Sequence, residues 1–140
     1  MQEVPAVEAF DIAQFEVSEI GILEVLNPKD EPLLYNGAPV RIHLYGPGST
    51  VYARAQAKAD AAAQQRTFAA LRGKTNKAAV DEQREDLIVK LVACTARIEN
   101  FPIPGGADAL YRNQKLGYIL NQVTKFLDDW GNFQPPSPKN

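Results

Sequence analysis

The fold is organised around residues 81–101, which read DEQREDLIVKLVACTARIENF. Apolar residues recur there at steps of four, three and four: Leu87, Leu91, Cys94 and Ile98. This spacing indicates an α-helix with one buried face, because a strand would turn alternate residues to opposite sides. Acids at the start suit the electropositive first turn of a helix, and Pro102 disfavours helical geometry in the residue before it. We therefore predict a central helix, ending at Asn100-Phe101, against which the other helices pack.

The N-terminal third of the chain carries the signals of a small sheet. Residues 40–45, VRIHLY, alternate in the pattern of a strand with one buried face. The side predicted to face the core holds Val40, Ile42 and Leu44, and the solvent side holds Arg41, His43 and Tyr45. A second strand is predicted around Gly21 to Leu26, with turns at residues 27–32 and at Asn36-Gly37. We expect a small antiparallel hairpin or three-stranded sheet within residues 15–45.

Two further helices are predicted in the rest of the chain. Ser49 is a good N-cap for an alanine-rich helix over Thr50 to Arg72, which Gly73 stops. A last helix, Gln114 to Trp130, carries a wide apolar stripe consisting of Leu116, Ile119, Leu120, Val123, Phe126, Leu127 and Trp130, with Phe133 completing the cluster. The predicted fold class is α+β and helix-dominated: the N-terminal sheet is followed by a bundle of about three helices.

Length and composition indicate one globular domain. The 140 residues are 45% hydrophobic and 23% charged, which is ordinary for a packed protein. We predict a loose acidic arm at residues 1–14, a single α+β domain at 15–133 (sheet 15–45, helices 49–133), and a disordered proline-rich tail at 134–140. The N-terminus lacks the basic region and continuous apolar core of a secretion signal, and no apolar run is long enough to cross a bilayer.

The residues that usually carry chemistry are scarce. His43 is the one histidine, and Cys94 is the one cysteine, expected to be buried on the central helix. A zinc site would need several such ligands. Gly46-Pro47-Gly48-Ser49 precedes a helix but lacks the lysine and spacing of a phosphate loop, so a strand-to-helix turn is the favoured interpretation. We predict a non-enzymatic protein with no catalytic residue, no cofactor and no metal.

Charge is segregated along a nearly neutral chain. Residues 3–31 contain eight acids against Lys29, and residues 54–77 contain six bases against Asp60. Two solvated faces are one interpretation. A second is contact between copies, with the acidic arm of one on the basic helix of the next, giving a homo-oligomeric ring or spiral. Nucleic-acid binding is a third, less favoured because the basic helix lacks interleaved aromatic residues.

Several stretches, taken in chain order, resemble one family. They are a strand near Ile22 to Leu26, residues 36–42 (NGAPVRI), residues 45–49 (YGPGS) opening an alanine-rich helix, Ala93-Cys94-Thr95, Asn100-Phe101, Gly105-Gly106, Ala109-Leu110-Tyr111, Gln122-Val123 and Asn132-Phe133. This run covers most of the chain and is similar to the tail assembly chaperones of tailed bacteriophages and prophages. The resemblance implies a mostly helical protein that coats the tape-measure protein in the host bacterial cytoplasm. It also implies displacement by the major tail tube protein and absence from the finished virion.

Six residues are candidates for protein–protein interaction under this hypothesis: Tyr52, Arg54, Lys58, Phe68, Phe126 and Trp130. The alanine-faced helix offers close helix packing, and the C-terminal stripe offers an aromatic anchor. Ordinary core packing remains the alternative for both stripes. The alternative functions are a structural virion component, such as a head–tail connector or tube-associated protein, and a small nucleic-acid-binding regulator.

Overall fold

The computed structural model describes residues 10–73 and 79–134. Within these residues the chain forms four α-helices and a three-stranded antiparallel sheet, which confirms the α+β, helix-rich class. The predicted acidic arm lies outside the described residues up to residue 9, and the predicted tail does so from residue 135 onward. A short 3-10 turn at Ile12–Phe15 spans the predicted boundary between the arm and the domain.

The sheet consists of β1 (Ile20–Glu24), β4 (Arg41–Tyr45) and β5 (Thr95–Glu99). β4 lies in the middle, so the strand order is β1-β4-β5. Between β1 and β4 the chain makes a separate two-stranded ribbon of β2 (Leu34–Tyr35) and β3 (Ala38–Pro39). The predicted turn at Asn36-Gly37 closes this ribbon, and both residues have positive φ, at 52° and 79°. Asparagine and glycine tolerate that conformation best, so the local sequence determines the turn.

The prediction of one helix up to Asn100 is wrong. The central helix α2 (Ala79–Cys94) ends at Cys94, and the chain continues directly into β5. Leu91, Cys94 and Ile98 satisfy a helical repeat, but Ile98 is directly opposite Ile42 of β4 instead. β4 would otherwise present a row of unpaired backbone groups, and pairing them outweighs a continued helical pattern.

The remaining helices follow their capping signals more closely. Helix α1 (Thr50–Leu71) begins where predicted, because the Ser49 hydroxyl accepts a hydrogen bond of 3.1 Å from the Tyr52 N–H. Helix α3 (Gly106–Arg112) precedes the last helix. The predicted helix Gln114 to Trp130 is correct only for α4 (Gly117–Leu127), which 3-10 turns flank on both sides.

The core lies between the inner face of the sheet and helices α2, α3 and α4. Alternation along β4 buries Ile42 and Leu44, as predicted. Facing them are buried residues of the helices and of the last 3-10 turn: Ile88, Leu91, Cys94, Leu110, Tyr111, Ile119, Leu120, Val123, Leu127 and Phe133. The predicted burial of Cys94 and the predicted addition of Phe133 to the core are both confirmed.

Candidate protein-interaction surface

Helices α1 and α2 form an antiparallel hairpin that extends beyond the core. Of the 22 residues of α1, all of them described, Ala55 alone is buried. The alanine content explains this arrangement, because alanine stabilises the helix while burying little area. The hairpin therefore presents much of its surface to solvent.

Polar contacts between the helices fix the hairpin. The Lys90 ammonium lies 2.5 Å from Gln56 Oε1, 3.4 Å from the Tyr52 hydroxyl and 4.8 Å from the centre of the Tyr52 ring. The last of these contacts has cation–π geometry. Further along the hairpin, Arg66 forms an ion pair with Asp86. These contacts hold α1 against α2 where apolar side chains are too small to do so.

A groove of about 270 Å³ lies between the two helices. Apart from Val89, its residues are alanine or charged: Ala55, Lys58, Ala59, Ala62, Asp86, Lys90 and Ala93. Val89 and Ala93 are exposed and lie one turn apart on α2. Small side chains allow close backbone approach, so this groove has the shape and chemistry to accept another helix.

Four of the six predicted interaction residues lie on α1. Arg54 and Lys58 are exposed and one turn apart, and Lys58 lines the groove. Tyr52 is half-buried under Lys90, whereas Phe68, near the other end of α1, is 59% exposed. The structure therefore places these four residues along one helix. Tyr52 also contacts Lys90 of α2 and so helps to hold the hairpin together.

Phe126 lies on α4 and Trp130 in the 3-10 turn after it, and neither lines the α1–α2 groove. Phe126 packs against the core, and its ring meets that of Phe133 edge to face at 5.2 Å. Trp130 is 56% exposed, because α4 ends at Leu127 and a 3-10 turn capped by the Asp129 side chain follows. The prediction that Trp130 continues the apolar stripe of the last helix is wrong.

Sequence reasoning missed the contribution of α2 to the groove. The apolar repeat of α2 indicates only its buried face, and Val89, Lys90 and Ala93 lie outside that stripe. Their role depends on which face of α2 lies against α1, and the periodicity of α2 does not specify that. The sequence feature that could have indicated this second face is the i, i+4 pair of Val89 and Ala93, which lies beside the buried positions.

The outer face of the sheet holds a charge cluster around Glu99. His43 Nε2 donates to Glu99 Oε1 at 2.9 Å, Arg41 Nη1 donates to Oε2 at 3.2 Å, and Arg97 Nη2 lies 3.5 Å from Oε1. The hydrogen bond from His43 is the leading cause that lowers the pKa of Glu99. His43 is on the predicted outer face, but its side chain is only 18% exposed because Glu99 and its neighbours surround it.

Cys94 and Tyr111 carry a thiol and a phenol into the buried core. Burial raises the pKa of the Cys94 thiol, and it raises the pKa of Tyr111 to about 12. The Tyr111 hydroxyl lies 2.7 Å from Thr95 Oγ1. Among residues 10–73 and 79–134, no three His, Cys, Asp or Glu side chains are grouped to hold a metal ion.

No protein family model, curated protein or solved structure matches the chain. Within the described residues, no helix has the length and apolar character needed to cross a membrane.

Proposed function

We propose that the protein is a phage or prophage tail assembly chaperone that binds the tape-measure protein in the host bacterial cytoplasm. In this role it is displaced by tail-tube subunits and performs no catalysis. The observation that supports the proposal best is the groove between α1 and α2, whose small side chains leave room for a further helix. The sequence resemblance points to the same class of protein.

The chemistry of the groove suits a long helical partner. A tape-measure protein is an extended helical chain with apolar faces that would aggregate if left bare. The exposed Val89 and the groove alanines offer apolar contact to such a face. Arg54 and Lys58 lie beside this contact, so the best partner helix carries acidic residues next to its apolar stripe.

The groove also suits reversible binding. It has no large aromatic side chain among its residues, whereas tight interfaces are usually anchored by buried aromatics or arginine. A chaperone that tube subunits must displace needs moderate affinity at each contact. Many weak contacts along a long helix then hold the tape-measure protein soluble until the tube polymerises.

Co-expression with the tape-measure protein of the same genome tests the proposal. We expect this chain to move the tape-measure protein from the insoluble to the soluble fraction, and the two to co-purify. The variant Ala93→Trp fills the groove and should abolish both effects. Ala57→Trp is the matched control, because Ala57 is exposed and lies about 200° around α1 from Ala55. A tape-measure protein that stays insoluble beside the wild-type chain would contradict the chaperone function.

Mass spectrometry of purified particles separates the proposal from its main alternative. A chaperone should be missing from mature tails or present only in traces. Stoichiometric amounts there would favour a structural virion component, such as a connector or tube-associated protein.

A further inference from the structure

The turn that joins β2 to β3 is built from Asn36-Gly37, the one Asn-Gly pair of the sequence. Both residues are exposed, and both have positive φ. A Cβ on Gly37 would meet nothing within 4 Å, so the outer side of the turn is open. The turn therefore places a carboxamide and the backbone N–H that follows it side by side in contact with water.

Neither of these two groups is engaged by the rest of the protein. Within residues 10–73 and 79–134, the Asn36 side chain makes no hydrogen bond, and the Gly37 N–H donates to no acceptor. Glycine also has no side chain to hinder a close approach of its backbone nitrogen. The Gly37 nitrogen is therefore available as a nucleophile toward Asn36 Cγ.

The other described asparagines lack this combination, and none of them precedes a glycine. Four use their side chains in hydrogen bonds: Asn27, Asn100, Asn113 and Asn132. The fifth, Asn121, lies within α4, where the N–H of the next residue belongs to the helical hydrogen-bond ladder. Among the described asparagines, Asn36 thus has the surroundings that oppose attack on its carboxamide least.

We propose that Asn36 is a site of spontaneous modification, at which asparagine converts to aspartate and isoaspartate. The Gly37 nitrogen gives its proton to solvent base and attacks Asn36 Cγ, so that a new C–N bond forms. The bond from Cγ to Nδ2 breaks, Nδ2 leaves as ammonia, and a cyclic imide remains. Water that adds at Cγ opens the imide to aspartate, and water that adds at the main-chain carbonyl opens it to isoaspartate. The proposal does not rest on the chaperone function.

Asn100 controls how readily the imide forms in the folded chain. Its Nδ2 lies 3.0 Å from the Tyr35 carbonyl oxygen, 2.9 Å from that of Ala38 and 3.3 Å from that of Pro39. These carbonyls flank the turn, so the Asn100 amide holds both strands of the ribbon. Because imide formation requires rotation of the backbone within the turn, this hold slows it. Isoaspartate lengthens the main chain between the two strands and so disrupts the register that the same hydrogen bonds need.

Peptide mapping by mass spectrometry tests the proposal on the purified full-length chain, incubated at physiological temperature. We expect aspartate and isoaspartate to accumulate at residue 36 faster than at any other asparagine. The rate should rise with pH, because the Gly37 nitrogen must lose its proton. Gly37→Ala should slow the conversion at least about threefold, since the added Cβ hinders attack. A residue 36 that does not convert, or that converts no faster than the other asparagines, would overturn the proposal.

The variant Asn100→Gly tests the hold on the turn. Asn100 has a φ of 61°, which glycine adopts without strain, so the change removes the amide and keeps the backbone conformation. We expect conversion at residue 36 to rise about fivefold, as for the loss of one net hydrogen bond. Asn113→Ala is the matched control, because it removes the side-chain hydrogen bond to the Lys115 N–H instead and should leave the rate unchanged. An unchanged rate in Asn100→Gly, or an equal rise at Asn132, would overturn the role of Asn100.

Discussion

The side-chain amide of Gln122 makes two hydrogen bonds of 2.8 Å with the backbone of Leu26: Oε1 accepts from the N–H, and Nε2 donates to the carbonyl. This contact ties α4 to the chain that leaves β1. Gln122→Ala leaves both backbone groups unpaired, so we expect the free energy of unfolding to fall by about 1–3 kcal/mol. Urea denaturation measures it. Gln64→Ala, at an exposed site on α1, should change it by less than about 0.5 kcal/mol.

Gly46 packs closely against the ring of Phe133. A Cβ at Gly46 would lie 2.3 Å from the Phe133 ring, and both residues are buried. We therefore expect Gly46→Ala to lower the free energy of unfolding by about 1–3 kcal/mol through overpacking. Thermal denaturation checks this. Gly117→Ala is a control of opposite sign, because a Cβ there meets nothing within 4 Å at the start of α4. It should stabilise the protein by about 0.5–1 kcal/mol.

Local patterns predicted the parts of the fold in which one physical requirement dominates. Alternation in residues 40–45 predicted the inward residues of β4, since only one face of that strand can be buried. Ser49 predicted the start of α1, because its hydroxyl satisfies a backbone N–H that the first turn leaves unpaired. The alanine-rich composition predicts that this helix ends at Arg72, one residue beyond its observed end at Leu71.

The errors occur where a distant segment decides the outcome. Residues 95–99 fit a helical repeat, yet they pair with β4, which lies more than 50 residues earlier in the chain. Trp130 fits the stripe of the last helix, yet the helix ends three residues before it. The groove likewise required knowing which face of α2 lies beside α1. Periodicity specifies which residues avoid water and leaves open which neighbour covers them.

Tyr111 predicts how the protein responds to alkaline pH. Its hydroxyl is buried and donates to Thr95 Oγ1, because the Thr95 hydroxyl hydrogen is used by the Leu91 carbonyl. Burial raises the pKa of Tyr111 to about 12, so between pH 10 and 12 only the unfolded chain loses this proton. The free energy of unfolding should therefore fall there, with Tyr111 contributing about 1.4 kcal/mol per pH unit.

Tyr111→Phe should remove that part of the alkaline decline while costing about 0.5–1.5 kcal/mol at neutral pH for the lost hydrogen bond. Urea denaturation at a series of pH values measures both effects. Tyr35→Phe, at a 40% exposed position, is the control and should keep the decline of the wild type. A Tyr111→Phe profile parallel to the wild-type one above pH 10 would refute this assignment.

Glu99, at the end of β5, predicts how the free energy of unfolding changes at acidic pH. Hydrogen bonds from His43 and Arg41 lower the pKa of Glu99 below its usual 4.5. As pH falls through that range, the unfolded chain binds a proton before the folded one does, so stability present at neutral pH is lost. We expect Glu99→Gln to flatten the acid side of the stability profile. Some acid dependence of the free energy of unfolding should remain, because Arg112 similarly lowers the pKa of Glu85.

His43→Phe should give an acid dependence between those of the wild type and Glu99→Gln, since the hydrogen bond from His43 is the leading cause that lowers the pKa of Glu99. If Glu99→Gln unfolds in acid with the full slope of the wild type, the link between β4 and β5 through this carboxylate contributes nothing to acid stability.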